Sequence, residues 1–309
     1  MEKQAITIGL PRAMLYYRYH TLWRTFFQEL GIETVTSAPT DRDIMEHGAA
    51  LAIDEACLSL KIYLGHVAAL VGKCDYILVP RISNFAAQRS MCTRFESMPD
   101  LVRNVFRGSR QKFLSYEVDV LLKKDEPDAF TEMGHSLGFS AKAAKRAYKL
   151  AKKAELSDYK AKVQRHEQRF RQEGMKVLIA AHSYVLEDPY MGRPVIDYLK
   201  RSGVISLRAD LADREAALKK SRELSPTCKW EINREILGGI AMHRHDVDGI
   251  ILLSAFPCGP DAMVNELITR RVKGVPMLNL VLDSQSGTAG VETRLESFID
   301  IIRFKEGTL

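Results

Sequence analysis

The chain has 309 residues, of which 46% are hydrophobic and 27% are charged, and this composition is that of an ordinary globular protein. The formal net charge is +6, with a local excess over 142–173, where 11 Lys and Arg residues stand against 4 Asp and Glu residues. No apolar stretch approaches the ~18 residues that a membrane span needs, and the first residues lack the apolar core of a signal peptide. We therefore expect a cytoplasmic protein that does not cross a membrane.

Strands and helices are predicted to alternate through the first 125 residues. Apolar residues such as Leu22, Phe26 and Leu30 recur at helical spacing, and Gly31 then stops that helix. Short β-branched runs bounded by Gly or Pro indicate strands between the helices. The predicted strands are 5–10, 32–36, 76–80 and 112–116. The predicted helices are 15–30, a short one capped by Thr40 or Asp41 and running to about Glu46, one from Cys57 to about 71 and one starting near Pro99 or Asp100.

The segment 126–174 is predicted to be helical and mostly polar. Pro127 falls at its start, where the missing N–H of proline costs no hydrogen bond, and Gly174 ends it. A long polar helix of this kind is typical of a bridge between two lobes. The same stretch holds most of the basic excess, which fits either a solvated helix face or a docking site for an acidic partner.

The last third of the chain, 175–309, repeats the alternation. The rhythm of strand and helix is typical of a parallel sheet covered by helices on both faces. We therefore predict two doubly wound, Rossmann-like α/β lobes, 1–125 and 175–309, joined by the helical bridge 126–174. The predicted strands of the second lobe are 176–181, 204–207, 248–253 and 275–282, and its predicted helices are 194–201, 231–242, 260–271 and 291–304.

Three of the five cysteines, Cys57, Cys92 and Cys258, lie next to strand-like runs in turn-rich contexts. In an α/β fold, ligand groups collect in this position at the carboxyl ends of strands. We interpret the three as thiolate ligands of one iron–sulfur cluster. They are separated by 35 and 166 residues, so no CxxC pair supports a zinc finger or a ferredoxin. Cys74 fits a structural role, and Cys228 fits either a plain loop thiol or a further ligand.

Several segments around these cysteines resemble the 2-hydroxyacyl-CoA dehydratase superfamily, in particular its shorter members related to acyl-CoA dehydratase activases. The match extends over most of the chain and depends on the combination of segments. The segments are Ile8-Gly9-Leu10-Pro11-Arg12, Glu55-Ala56-Cys57-Leu58-Ser59-Leu60-Lys61, Val79-Pro80-Arg81, Met98-Pro99-Asp100, His182-Ser183-Tyr184, Asp188-Pro189-Tyr190, Cys258-Gly259-Pro260-Asp261, and Asp283 to Gly290 followed by Thr293-Arg294-Leu295-Glu296.

The resemblance implies a [4Fe-4S] cluster held by Cys57, Cys92 and Cys258, with the fourth iron open to a small ligand or substrate. It also implies a separate ATP-dependent activator that supplies electrons at low potential, and a small substrate, such as a 2-hydroxyacyl-CoA, that is reduced or dehydrated. The protein would then be an oxygen-sensitive electron-transfer protein of anaerobic metabolism. The resemblance leaves open whether the protein forms a homodimer.

Two further residues are candidates for proton transfer near the open iron. Glu55 precedes Cys57 by two residues, and it fits either an acid–base role or a plain carboxylate at a helix entrance. His182 ends a predicted strand, and it fits either a substrate contact or a structural hydrogen bond.

Two other functions remain open at this point. The chain could be a non-catalytic carrier or assembly factor for a cluster that a larger enzyme uses, or its cysteines could hold a structural zinc ion. The chain contains neither GxxxxGK[ST] nor GxGxxG, so we expect ATP hydrolysis to belong to the partner. The basic helix lacks interleaved aromatic residues, and we expect no nucleic-acid partner.

Overall fold

A computed structural model describes residues 6–284 and 288–305 of the chain. No helix within these ranges is long and apolar enough to cross a membrane. Contacts between residues divide the chain into two compact units. These are the N-terminal unit, residues 1–54 and 60–160, and the C-terminal unit, residues 55–59 and 161–309.

The boundary between the units falls inside the segment predicted to be a helical bridge, 126–174. The short segment 55–59, which contains Cys57, is grouped with the C-terminal unit although the chain around it belongs to the N-terminal one. The three-part division into 1–125, 126–174 and 175–309 stays a prediction.

The N-terminal unit contains a parallel sheet with the strand order β2-β1-β3-β6 and a smaller sheet with the order β5-β4-β7. The parallel sheet confirms the predicted strands, although the start of the first one, at residue 5, lies outside the described residues. The smaller sheet was not predicted. The strands are β1 (Thr7–Leu10), β2 (Glu33–Thr36), β3 (Tyr76–Leu78), β4 (Arg81–Ala86), β5 (Arg89–Ser90), β6 (Lys112–Leu114) and β7 (Glu117–Asp119).

Helices of the N-terminal unit follow the predicted order, with one difference at Pro99. Of the two residues expected to cap the second helix, Thr40 and Asp41, it is Asp41 whose carboxylate accepts the N–H of Ile44 at 2.9 Å. Pro99 was expected at a helix start, but it lies inside a helix that begins six residues earlier. The helices are α1 (Tyr16–Glu29), α2 (Arg42–Leu51), α3 (Leu58–Leu70), α4 (Thr93–Val105), a 3-10 turn (Val120–Leu122), α5 (Glu126–Ser136) and α6 (Ala141–Phe170). The first two residues of α3 and the part of α6 from residue 161 onward are grouped with the C-terminal unit.

The C-terminal unit contains one parallel sheet with the strand order β11-β10-β8-β9. Every residue of β10 is buried, as expected for a strand covered by helices on both faces. The strands are β8 (Lys176–Ala180), β9 (Ile205–Arg208), β10 (Gly249–Ala255) and β11 (Met277–Leu282).

Helices of this unit include two that were not predicted, a single turn after β8 and a longer helix before residue 231. The predicted loop over 283–290 is described only in part, because residues 285–287 lie outside the described ranges, and the closing helix begins at Thr288. The helices are α7 (Ser183–Leu186), α8 (Arg193–Arg201), α9 (Arg214–Leu224), α10 (Glu231–His243), α11 (Gly259–Arg271) and α12 (Thr288–Lys305). Parallel strands alternating with helices in both units confirm the predicted α/β fold.

In the N-terminal unit, α2 and α3 approach each other closely through two glycines. A Cβ atom added to Gly48 would lie 1.8 Å from the carbonyl oxygen of Lys61, and one added to Gly65 would lie 1.9 Å from that of Ile44. Real Cβ atoms do not come this close to backbone atoms. The two helix backbones are therefore in direct contact, and any larger residue at either position must push them apart.

In the C-terminal unit, a buried histidine ties α6 to the segment after β9. The N–H of Arg208 donates to Nε2 of His166 at 2.7 Å, and the ring's Nδ1–H donates to the carbonyl of Leu211 at 2.8 Å. A backbone N–H can only donate and a carbonyl can only accept, so these two bonds require the neutral ring. Burial lowers the pKa of His166 to about 4; Arg208 and His243 act in the same direction, whereas the Leu211 carbonyl and Asp210 oppose it.

We predict that replacement of Gly48 by alanine destabilises the N-terminal unit by about 2 kcal/mol or more, because the added methyl group must separate α2 from α3. Urea unfolding followed by circular dichroism measures this. Gly108→Ala is the matched control, since a Cβ there meets nothing within 4 Å. Equal stability of the two variants would contradict the close approach.

We predict that His166 makes the stability of the protein fall as the pH is lowered. The unfolded ring takes up a proton near pH 6.5, but the folded ring does so only at about pH 4. Its contribution is therefore complete above pH 6.5 and is lost as the pH falls toward 4, a total of about 3 kcal/mol.

The measurement is the free energy of unfolding in urea at several pH values between 7 and 4. His166→Gln should flatten the dependence, whereas His245→Gln, at an exposed position of the same unit, should leave it as in the parent protein. If His166→Gln and the parent protein showed the same dependence of stability on pH, His166 would be excluded as the source of that dependence.

Candidate functional site at the carboxyl ends of β8 and β10

The sheet of the C-terminal unit has its topological switch point between β8 and β10. The chain passes from β8 to β9 on one side of the sheet and then crosses to β10 on the other side of β8. Loops that leave the carboxyl ends of such neighbouring strands diverge, and open α/β sheets bind their ligands in the crevice between them. His182 follows β8 and Cys258 follows β10, so two of the predicted site residues lie at this point.

Cys258 occupies the cap position before α11, and the residues that follow it build a buried polar cluster. Asp261, in the first turn of α11, is only 5% exposed. Its Oδ1 accepts the Nε2–H of His182 at 2.6 Å and the Nδ2–H of Asn233, from α10, at 2.8 Å. The cluster therefore joins the end of β8 to α10 and α11.

Asp261 remains an ionised carboxylate in spite of its burial. Burial alone would raise its pKa, but the electrostatic interaction and hydrogen bond with His182, together with hydrogen bonds from Asn233 and Cys258, lower it below the usual value. An ionised carboxylate can only accept hydrogen bonds, so the Nε2 atom of His182 carries a proton.

The second ring nitrogen of His182, Nδ1, is buried and has no hydrogen-bond partner among the described residues. The ring itself stacks on Tyr184, with the ring centroids 4.8 Å apart. Buried polar atoms are nearly always paired in folded proteins. With Nε2 committed to Asp261, Nδ1 can accept a hydrogen bond from a bound molecule.

Cys57 is joined to the end of β10 through the residue that follows it. The N–H of Leu58 donates to the carbonyl of Phe256 at 2.8 Å, and both residues belong to the C-terminal unit. Cys57 is partly exposed, and its charge acts on Cys258. Cys57 and Cys258, two of the three cysteines that the sequence singles out, are therefore close enough to interact electrostatically.

The Cys258 thiol resists ionisation in the protein alone. Burial raises its pKa, and the charges of Asp261 and Cys57 raise it further, while the backbone N–H of Asp261 opposes them. A bound cation reverses this preference, because a thiol that coordinates a metal is deprotonated. Two thiols beside a buried carboxylate form a donor set suited to a positively charged thiophilic group.

Cys92 belongs to the N-terminal unit, where it is partly exposed at the cap position before α4. Within the described ranges, 6–284 and 288–305, no three His, Cys, Asp or Glu side chains form a group that could hold a metal ion. The complete set of Cys57, Cys92 and Cys258 as ligands stays a prediction.

Glu55 lies in a turn two residues before Cys57 and is exposed. Its predicted acid–base role stays a prediction. Sequence reasoning gave no role to Asp261 or to Asn233. The place of Asp261, in the first helical turn after a cysteine, is a signal that could have been used, whereas nothing near Asn233 in the sequence distinguishes it from other residues of α10.

Comparisons with known proteins give a family match and, among solved structures, weak likeness. No curated protein sequence matches the chain. A solved structure titled "Crystal structure of ZnuA" aligns with 97% of this chain and 99% of that chain at 9% identity, with a TM-score of 0.27. So low a TM-score supports no inference about fold or function.

The family match is much broader than a single motif. The profile of the family described as the "CoA enzyme activase uncharacterised domain" matches residues 7–211, which is about two thirds of the chain. The matched region includes Cys57, Cys92 and His182 and ends before Cys258. The chain therefore belongs to the CoA enzyme activase uncharacterised domain family.

Proposed function

We propose that the protein binds a [4Fe-4S] cluster through Cys57, Cys92 and Cys258 and belongs functionally with the 2-hydroxyacyl-CoA dehydratases. It accepts low-potential electrons from a separate ATP-dependent activator and reduces or dehydrates a small substrate, a 2-hydroxyacyl-CoA in our proposal. The observation that supports this proposal is the electrostatic proximity of Cys57 to Cys258, beside the Asp261–His182 cluster at the carboxyl ends of the sheet.

The donors present fit such a cluster. Cys258 and Cys92 each lie at the cap position before a helix, where free backbone N–H groups point outward and the helix dipole favours negative charge. The same N–H groups can donate hydrogen bonds to thiolate and sulfide. A bound cluster would supply one-electron transfer and one coordination position that is open to substrate.

The chain's own contribution to the reaction is proton control next to the thiols. Asp261 fixes the orientation of His182 and keeps the proton on its Nε2 atom. The buried Nδ1 atom can then accept the hydrogen bond of a substrate hydroxyl and hold that hydroxyl in place. Glu55, which is exposed, can exchange a proton with water at the solvent-facing side of the proposed site.

A protein partner in a CoA enzyme system is also proposed from the name of the family. In the N-terminal unit, α6 presents exposed cations at helical spacing, among them Lys142, Lys145, Arg146, Lys149 and Lys153. Like charges on one face attract an acidic surface and speed its association. We therefore propose this face of α6 as the docking site of the activator.

The first prediction from the proposal concerns iron content. After anaerobic reconstitution, the parent protein should contain about four irons and four sulfides per chain and absorb in the visible range. Cys57→Ala, Cys92→Ala and Cys258→Ala should each lose most of this iron.

The matched control is Cys74→Ala, because the Cys74 thiol belongs to the N-terminal unit, lies against Gly9 and donates to the carbonyl of Leu70 at 3.7 Å. It should keep the full iron content. Full iron in any of the three ligand variants would defeat the assignment of that cysteine, and a colourless protein containing zinc would replace the proposal with a structural metal site.

A second prediction separates an enzyme from a carrier of clusters. Addition of a 2-hydroxyacyl-CoA to the reduced, reconstituted protein should shift its EPR signal, because the substrate occupies a position on the open iron. His182→Ala should weaken this shift while leaving the iron content unchanged. If no acyl-CoA alters the signal of the parent protein, a non-catalytic carrier or assembly factor becomes the better description.

A further inference from the structure

The C-terminal unit contains a cavity of about 240 Å³ to which no role has been assigned. It lies at the carboxyl end of β11, between α8 and the start of α12. Its floor consists of apolar side chains that are at most 6% exposed, namely Leu58, Met191, Val195, Leu282 and Leu295.

One wall of the cavity is fixed by a buried carboxylate. Asp188 is fully buried, and its Oδ1 accepts the N–H groups of Tyr190 at 2.9 Å and Met191 at 3.1 Å. These bonds stabilise the turn that places Met191 in the cavity wall. A Cβ atom on the next residue, Gly192, would lie 2.4 Å from the backbone of Leu186, so the turn packs directly on the helix before it. The wall is therefore preformed.

Backbone hydrogen bonds connect the cavity to the segments that carry Cys57 and Cys258, here called the thiol pair. The carbonyl of Leu282 accepts the N–H of Phe256 at 2.7 Å, and the carbonyl of Phe256 accepts the N–H of Leu58 at 2.8 Å. Leu58 lines the cavity and directly follows Cys57. A molecule in the cavity is thus held next to Leu58, and the residue before Leu58 is the proposed cluster ligand Cys57.

The rim of the cavity carries two carboxylates, Asp283 and Glu292. Glu292 is partly neutralised by Arg201, whose guanidinium lies 3.0 Å from it. The apolar floor favours an apolar chain, and the rim repels a carboxylate at the end of that chain. Since a water molecule in the liquid occupies about 30 Å³, the space holds about eight non-hydrogen atoms.

We infer that this cavity binds the uncharged apolar chain of a small organic molecule, of about six carbons, and discriminates against chains that end in a carboxylate. The inference rests on the proposed function only where it identifies this chain as the acyl group of the substrate. The substrate is then a hydrophobic monocarboxylic acyl thioester and not a dicarboxylic one.

The test uses two probes of equal size, hexanamide and hexanoate, and ligand-observed NMR titration of the full-length protein purified without a cluster. Hexanamide should bind about tenfold more tightly than hexanoate, because only hexanoate brings a negative charge to the rim. Equal affinity for the two probes, or no binding of hexanamide, would overturn the inference.

Two pairs of variants locate the binding. Val291→Trp fills the cavity and should abolish hexanamide binding, whereas Ile301→Trp, at a position of α12 that is 58% exposed, should not change it. Glu292→Gln leaves Arg201 unpaired and should improve hexanoate binding severalfold with hexanamide unchanged. Glu296→Gln, at an exposed position one turn further along α12, should change neither.

Unchanged hexanamide binding by Val291→Trp, together with unchanged hexanoate binding by Glu292→Gln, would place the probes elsewhere and overturn the inference. Because these measurements need no iron, they stand apart from the proposed function. If the protein fails to assemble a cluster but still prefers hexanamide, the cavity still binds uncharged apolar chains. Only the identification of the cavity as the acyl site of the substrate is then lost.

Discussion

A buried carboxylate, Asp261, is the constraint on which the candidate site depends. An ionised carboxylate inside a protein is tolerated only when charge and hydrogen bonds compensate for the lost hydration. His182 and Asn233 provide this compensation from two other elements, the end of β8 and α10. These elements must therefore keep their positions relative to α11. Cys258, three residues before Asp261, is held in place by the same requirement.

The position of Asn233 depends in turn on how closely α10 packs on α9. A Cβ atom at Gly238 would lie 1.9 Å from the carbonyl oxygen of Ala217, so the two helix backbones touch. Polar contacts join the same helices, because the Arg234 guanidinium donates to the carbonyl of Leu218 at 2.9 Å. The two types of contact restrict both the distance and the rotation of α10. They explain why a helix that lies inside the unit can carry several buried polar residues.

The sequence was most informative where the structure depends on neighbouring residues. Alternating apolar runs and helix caps such as Asp41 are local signals, and the parallel α/β fold follows from them. Contacts between distant segments leave no such signal. The bond between His182 and Asp261 joins residues 79 positions apart, and the small sheet pairs β4 with β7, a strand of only three residues that is too short to be distinctive. Pro99 was expected near a helix start because proline is rare in helix interiors, but it lies buried inside α4.

Phe256 shows how one residue can support the thiol pair and the cavity together without using its side chain, which is 56% exposed. Its N–H is bonded to the end of β11 and its carbonyl to Leu58, so the backbone alone connects the two features. Hydrogen bonds of the backbone persist when side chains change, and they fix distances more narrowly than apolar packing does. The separation between a molecule in the cavity and Cys57 is therefore a property of the sheet. Substitutions on the cavity floor can alter which chain binds there while the thiols remain where the strands place them.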